Sequence, residues 1–171
     1  FLKALDVDGP SQEFEALKEV LGRRPTLAEF YRSGSNVGRV RQQYGSWFEF
    51  VNHMNCLDAA EALTTQTYRT FLREVEVTQM TRSYKMVLLE AFQALDGWAD
   101  SPSLSALAQQ SWGVMQHRRT LLLDLPETMA NISEGTPSDW QRYWRENPIK
   151  AWTGGNRPAD GAVFFKVEAD R

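Results

Sequence analysis

Apolar residues recur at helical spacing along most of this chain, and turn-forming residues divide them into short segments. Phe14, Leu17, Val20 and Leu21 follow Ser11 at helical intervals, which predicts a helix capped by that serine and ended by Gly22. Thr26 with Glu29 three residues on is a capping box. It opens a short helix from Leu27 to Arg32, predicted to bury Leu27, Phe30 and Tyr31. Ser33-Gly34-Ser35-Asn36 reads as a turn. The next helix, Val37 to Tyr44, sets Val37, Val40 and Tyr44 on one face and leaves Arg39, Arg41 and Gln42 mostly on the remainder. Gly45 breaks it, and Ser46 is placed to cap a segment carrying Trp47, Phe48, Phe50 and Val51.

Further along, Tyr68, Phe71, Leu72 and Val75 predict a helix from about Thr65 to Glu76. Ser83 is expected to cap a strongly apolar, buried helix that includes Val87 to Phe92. Asp100-Ser101-Pro102-Ser103 opens another, from Leu104 to about Thr120. Residues 126–137 read as a polar loop. A last clear helix, from Asp139 to Glu146, carries Trp140, Tyr143 and Trp144 and is interrupted by Asn147-Pro148. Gly154-Gly155, Asn156 and Pro158 mark turns, and Ala162 to Glu168 is the one good strand candidate. The expected fold is mainly α: a helix-turn-helix-like module over residues 1–60, then a helical bundle with one C-terminal strand over 61–171.

Composition adds size and core. A chain of 171 residues with six Trp and nine Phe can bury a real core without covalent staples. Its single cysteine, Cys56, cannot form an internal disulfide and is expected to be a core thiol. This fits a reducing, cytoplasmic setting. No stretch reaches transmembrane length. The start at Phe1 and the end on Phe164-Phe165-Lys166-Val167 read as those of a piece of a larger protein.

Charge changes the picture more. The net charge is −3, but its distribution is uneven. From Phe1 to Val20 there are two basic and five acidic residues, whereas from Arg23 to Arg41 five arginines face one acid, Glu29. A local basic cluster suits a contact surface for an anionic partner.

Catalytic signatures are missing from the sequence. It has no Gly-rich phosphate loop, Walker lysine or HExxH. His53 and His117 have no nucleophile or ligand at a useful spacing and read as solvated or capping residues. One Cys and two His make no metal cluster. No cofactor is called for.

The contact chemistry is richer, and it points to DNA. Arginine bridges phosphate oxygens or reads guanine, and glutamine reads adenine. Arg39, Arg41 and Gln42 offer such donors along one helix, against the alternative of a solvated basic face. Arg23 and Arg24 are candidate flanking phosphate contacts, the alternative being pairing with Glu19 or capping of the first helix. A second cluster, Arg82, Ser83, Tyr84 and Lys85, puts two cations and two hydroxyls at the start of a buried helix, which suits an anion. There the alternative is Tyr84 in the core with Arg82 and Lys85 in surface ion pairs. Trp112, Trp140, Trp144 and Trp152 read as core residues rather than base-stacking platforms.

Leu21-Gly22-Arg23-Arg24-Pro25-Thr26, followed by Tyr44-Gly45-Ser46-Trp47, resembles the small helix-turn-helix-type DNA-binding repeat that accompanies homing endonucleases. It departs from that repeat where a glycine usually follows the Trp-containing helix: Asn55-Cys56-Leu57 stands there instead. Met80-Thr81-Arg82-Ser83-Tyr84-Lys85-Met86-Val87-Leu88-Leu89 resembles a stretch C-terminal to the motor of large bacterial DEAD/DEAH-type (superfamily 2) helicases, often linked to restriction or phage defence, and Asn147 to Trp152 fits the same setting. The resemblance implies a non-catalytic DNA-binding accessory domain whose partners are DNA and the rest of the helicase chain. Two alternatives stand beside it. One is a scaffold that docks the motor to a partner through Trp140, Trp144 and Trp152, which requires those rings to be exposed. The other is a sensor of modified DNA, which requires a pocket beside Arg82 to Lys85.

Overall fold

The computed structural model describes residues 9–78, 80–130, 137–155 and 163–169. It is mainly α-helical, with no strand among the described residues. The chain divides after Thr78 into two compact units. The sequence placed a boundary near residue 60, but the two helices that follow it fall in the first unit.

In the first unit, α1 (Gly9–Leu21), α2 (Leu27–Arg32), α3 (Val37–Tyr44) and α4 (Trp47–His53) enclose one aromatic core: Phe14, Phe30, Val40, Trp47, Phe50 and Val51. Phe14 is the hub, with its ring 5.3 Å from Phe50, 5.8 Å from Trp47 and 6.4 Å from Phe30. Local signals position the helices as expected. Thr26 and Glu29 form the capping box of α2, Asn36 Oδ1 accepts from the Arg39 N–H, and Ser46 Oγ accepts from the Glu49 N–H. Three expectations fail. α1 starts before Ser11, whose hydroxyl instead lies 3.3 Å from the Tyr44 hydroxyl. Tyr31 and Val20 project outward, 70% and 82% exposed.

Two further helices complete this unit. Asp58 and Glu61 form a second capping box for α5 (Ala59–Thr67), and a break at Tyr68 separates it from α6 (Arg69–Val77). The single helix predicted across Thr65 to Glu76 is thus two.

The second unit packs α7 (Tyr84–Ala94) against α8 (Leu104–His117), the latter capped by Ser103. Residues 119–124 form a 3₁₀ turn and α9 (Glu127–Ala130) a single turn, in place of part of the predicted loop; residues 131–136 lie outside the described set. α10 (Pro137–Trp144) does not stop at Asn147-Pro148. It continues through a π-helical turn, Arg145–Ile149, into α11 (Lys150–Trp152). Pro148 has no N–H to donate, and the Asn147 side-chain amide donates to the Tyr143 carbonyl at 2.8 Å, satisfying an acceptor within the widened turn.

The predicted C-terminal strand is not formed over residues 163–168. A strand needs a ladder partner, and none lies among the described residues. Phe165 instead packs its ring against Phe92, Trp98 and Trp152. Most of the predicted turn region, together with Ala162, lies outside the described residues.

Candidate nucleic-acid interface

The first-unit motif residues hold the fold. Gly22 and Gly45 adopt φ of +65° and +86°, a left-handed conformation that ends α1 and α3 at little steric cost. Pro25 is fully buried, and the Tyr44 ring packs 4.8 Å from Phe50. Asn55, in the turn after α4, has φ of +53°. After glycine, asparagine is among the residues that best tolerate that conformation, so the turn after α4 is made without a glycine.

Most of the predicted arginine contacts turn inward onto acids. Arg23 makes a two-pronged pair with Glu29, at 2.5 and 3.0 Å. Together with the Thr26 N–H and hydroxyl, Arg23 holds the Glu29 carboxyl down at about 2. Arg24 makes a second such pair with Glu61, at 2.7 and 2.8 Å, and donates to the Cys56 carbonyl, which ties the start of α2 to α5. Neither uses Glu19. Arg41 donates from Nε to Glu76 at 2.8 Å and from Nη2 to the Glu76 carbonyl at 3.1 Å. The other carboxylate oxygen of Glu76 accepts the Trp47 N–H at 2.7 Å, and the Glu76 side chain is only 2% exposed.

Arg39 and Gln42 remain on the outward face of α3, beside Gly38 and Gln43, all four exposed. Arg39 reaches over the start of α1, where a Cβ at Gly9 would come within 3.3 Å of its Nη1. Gly38 has its own local reason: a Cβ there would meet the capping Asn36 Oδ1 at 3.0 Å. Tyr31, Arg32 and Asn36 are exposed on α2 and the turn that precedes α3.

In the second unit, the predicted anion position at the start of α7 is taken by the protein itself. The Asp124 carboxylate accepts the Ser83 N–H at 2.7 Å. Ser83, through its N–H bond, with a smaller pull from Arg82, holds the Asp124 carboxyl below its usual range. Ser83 makes no side-chain cap of its own helix. Tyr84 is core, as the alternative reading had it. Its hydroxyl donates to the Asp124 carbonyl at 2.6 Å and lies 2.9 Å from the Tyr143 hydroxyl, and burial pushes the phenol above its usual range. Arg82 pairs with no acid in this cluster but donates to the Tyr143 hydroxyl at 3.2 Å. The Lys85 ammonium sits 5.5 Å from the centre of the Trp152 ring. Arg82 and Lys85 flank an open recess of about 370 Å³ shared with Thr81, Asn147 and Ala151.

Other expectations resolve simply. Trp140, Trp144 and Trp152 are buried, so the scaffold reading loses its aromatic anchor. Trp112 packs edge-on against Trp140. Cys56 is half-buried against the first core, the His117 Nδ1 lies 2.7 Å from the Gly113 carbonyl, and the His53 ring lies 5.0 Å from Tyr44. Among the described residues no group of His, Cys, Asp and Glu converges as a metal site, and no helix is long and apolar enough to cross a membrane.

The residues missed in the sequence are acids: Glu61, Glu76 and Asp124. Asp58-x-x-Glu61 carried a readable capping signal. Glu76 and Asp124 act across large sequence separations and carried none. No family model, curated protein or solved structure matches the chain.

Proposed function

We propose that this chain is a non-catalytic, DNA-binding accessory module that presents α3 to duplex DNA. The observation that supports it is the exposed outward face of α3, Gly38, Arg39, Gln42 and Gln43, displayed after a tight turn by a rigid aromatic core. Arg39 supplies a phosphate or guanine contact and Gln42 an adenine-reading amide. Arg23 and Arg24 act as struts rather than contacts. The setting, a larger bacterial superfamily 2 helicase in restriction or phage defence, is supported by the resemblance of Met80 to Leu89 and Asn147 to Trp152.

The test is fluorescence-anisotropy binding to duplex, forked and single-stranded DNA across a salt series, with Arg39→Ala and Arg23→Ala beside the wild type. Arg39→Ala is expected to weaken binding and flatten the log K against log salt slope by about 0.9, the value of one phosphate contact. Arg23→Ala is expected to leave the slope unchanged. Binding absent from all three DNA forms, or insensitive to salt, overturns the proposal.

The recess beside Arg82 and Lys85 favours a second reading, the sensing of a modified DNA group. Under it, Lys85→Ala lowers affinity for modified duplex while leaving unmodified duplex unaffected.

A further inference from the structure

In the second unit, the helix end at Ser83 and the two cations beside it have different surroundings. Asp124 accepts the Ser83 N–H at 2.7 Å, so the start of α7 is already met by a carboxylate. Arg82 and Lys85 line the recess of about 370 Å³ between the start of α7 and the π-helical turn. Met80, Thr81, Tyr84, Asn147, Pro148 and Ala151 complete its lining. The recess therefore presents two cations and, among the described residues that line it, no carboxylate.

Arg82 is held there by a directed chain of hydrogen bonds. The Tyr84 hydroxyl has one proton and donates it to the Asp124 carbonyl at 2.6 Å. The Tyr143 hydroxyl, 2.9 Å from Tyr84 Oη, is therefore the donor of that pair, and its own oxygen accepts Arg82 Nη1 at 3.2 Å. A longer contact, 3.4 Å, runs from the same Nη1 to Tyr84 Oη. The guanidinium is thus fixed through one nitrogen, by neutral acceptors. Lys85 is fixed against α11: its carbonyl accepts the Trp152 indole N–H at 3.0 Å, and its ammonium lies 5.5 Å from the centre of that ring.

Two cations placed on one small recess match a dianion. A phosphomonoester carries about −1.5 to −2 charge at pH 7, whereas each phosphate of a nucleic-acid backbone carries a single negative charge. The guanidinium fork suits two oxygens of one phosphate. Met80, Pro148 and Ala151 supply an apolar wall for the carbon portion of the ester.

We infer that this recess is a phosphomonoester site, in which Arg82 and Lys85 hold the terminal phosphate of a nucleotide or of a nucleic-acid strand end and Tyr143 positions Arg82. The assignment rests on the second reading above, that the recess takes a ligand, and is independent of α3.

The test is calorimetric binding of the full chain to two pairs of probes: thymidine 5′-monophosphate against thymidine, and one single-stranded oligonucleotide with a 5′-phosphate against the same strand with a 5′-hydroxyl. The phosphate is expected to raise affinity about tenfold or more in at least one pair, the worth of a charge-assisted hydrogen bond. A gain in the oligonucleotide pair identifies a strand end as the source, and a gain confined to the mononucleotide identifies a free nucleotide. Arg82→Ala and Lys85→Ala should each erase most of the gain, and Arg39→Ala none of it. Arg82 is exposed, so its removal should leave the helical circular dichroism unchanged. Tyr143→Phe keeps the ring and should reduce the gain, yet cost nothing further when added to Arg82→Ala, as a role exerted through Arg82 requires. Absence of a gain in both pairs, or a gain that survives Arg82→Ala and Lys85→Ala, overturns the phosphomonoester site. If Lys85→Ala then still weakens binding to modified duplex, the second reading survives without a phosphate; if it does not, both fall.

Discussion

At the residue scale, the motif that first suggested DNA proves to be a folding motif. In Leu21 to Thr26, Gly22 turns the chain, Arg23 and Arg24 bind acids, Pro25 is buried and Thr26 caps α2. In Tyr44 to Trp47, Gly45 turns, Ser46 caps and Trp47 joins the core. The exposed positions proposed to contact a partner lie between the two motif halves, where the pattern prescribes nothing. The Arg23–Glu29–Thr26 cluster gives this a pH signature. Glu29 is held at about 2 in the folded chain against an ordinary 4.5. A carboxyl depressed on folding contributes stability that is fully present above its unfolded value and is lost as pH falls towards the folded one. The cluster should therefore be intact at pH 5 and dissolve only between about 4.5 and 2. NMR titration of the Glu29 carboxyl is expected to give a midpoint near 2, moved upward by Arg23→Ala, the largest cause of the shift. A wild-type midpoint at the ordinary value would mean that the two-pronged pair does not persist in solution.

At the element scale, what was legible was what is local. Thr26 with Glu29, Ser46 before Trp47, and Ser103 before Leu104 each sit within one turn of the helix they start, so the sequence contains both partners of each cap. α7 was legible as a buried helix, but its cap was not, because Asp124 rather than Ser83's own side chain answers its N-terminus. The candidate site divides on the same line. The outward positions of Arg39 and Gln42 follow from helical periodicity alone, whereas the capture of Arg41 by Glu76 is a tertiary contact that no periodicity encodes. The predicted strand failed over residues 163–168 for a related reason: β-branched and aromatic residues favour a ladder only where a partner exists. Asn147-Pro148 failed through its neighbour, since a side-chain amide let the helix absorb the proline. Asn147→Ala withdraws that donor from the Tyr143 carbonyl and should cost about 1 kcal/mol, the net worth of one such bond. Urea unfolding checks this. An unchanged midpoint with an unchanged m-value would show that the π-helical turn stands without the amide.

At the scale of the whole molecule, the two units carry separate cores, and every residue of the first aromatic core lies between Phe14 and Val51. The ion pairs that brace this unit, Arg24–Glu61 and Arg41–Glu76, also close within it. The surface proposed to meet DNA is thus displayed by a unit that draws its core from its own sequence. Residues 1–78 alone are expected to fold, with a cooperative loss of helical circular dichroism on heating and retention of the Arg39-dependent salt slope. Phe14 is the residue on which that expectation bears most, since it is fully buried and its ring meets Phe30, Trp47 and Phe50 together. Phe14→Ala removes the hub and leaves a cavity, a change that costs about 3–5 kcal/mol, a large share of the stability of a unit this small. In the isolated unit it should abolish the transition. In the full chain it should remove DNA binding while leaving the helical signal of the second unit in place. A broad, non-cooperative melt of wild-type residues 1–78 would show that the first core does not suffice, and that α3 depends on the second unit for its shape.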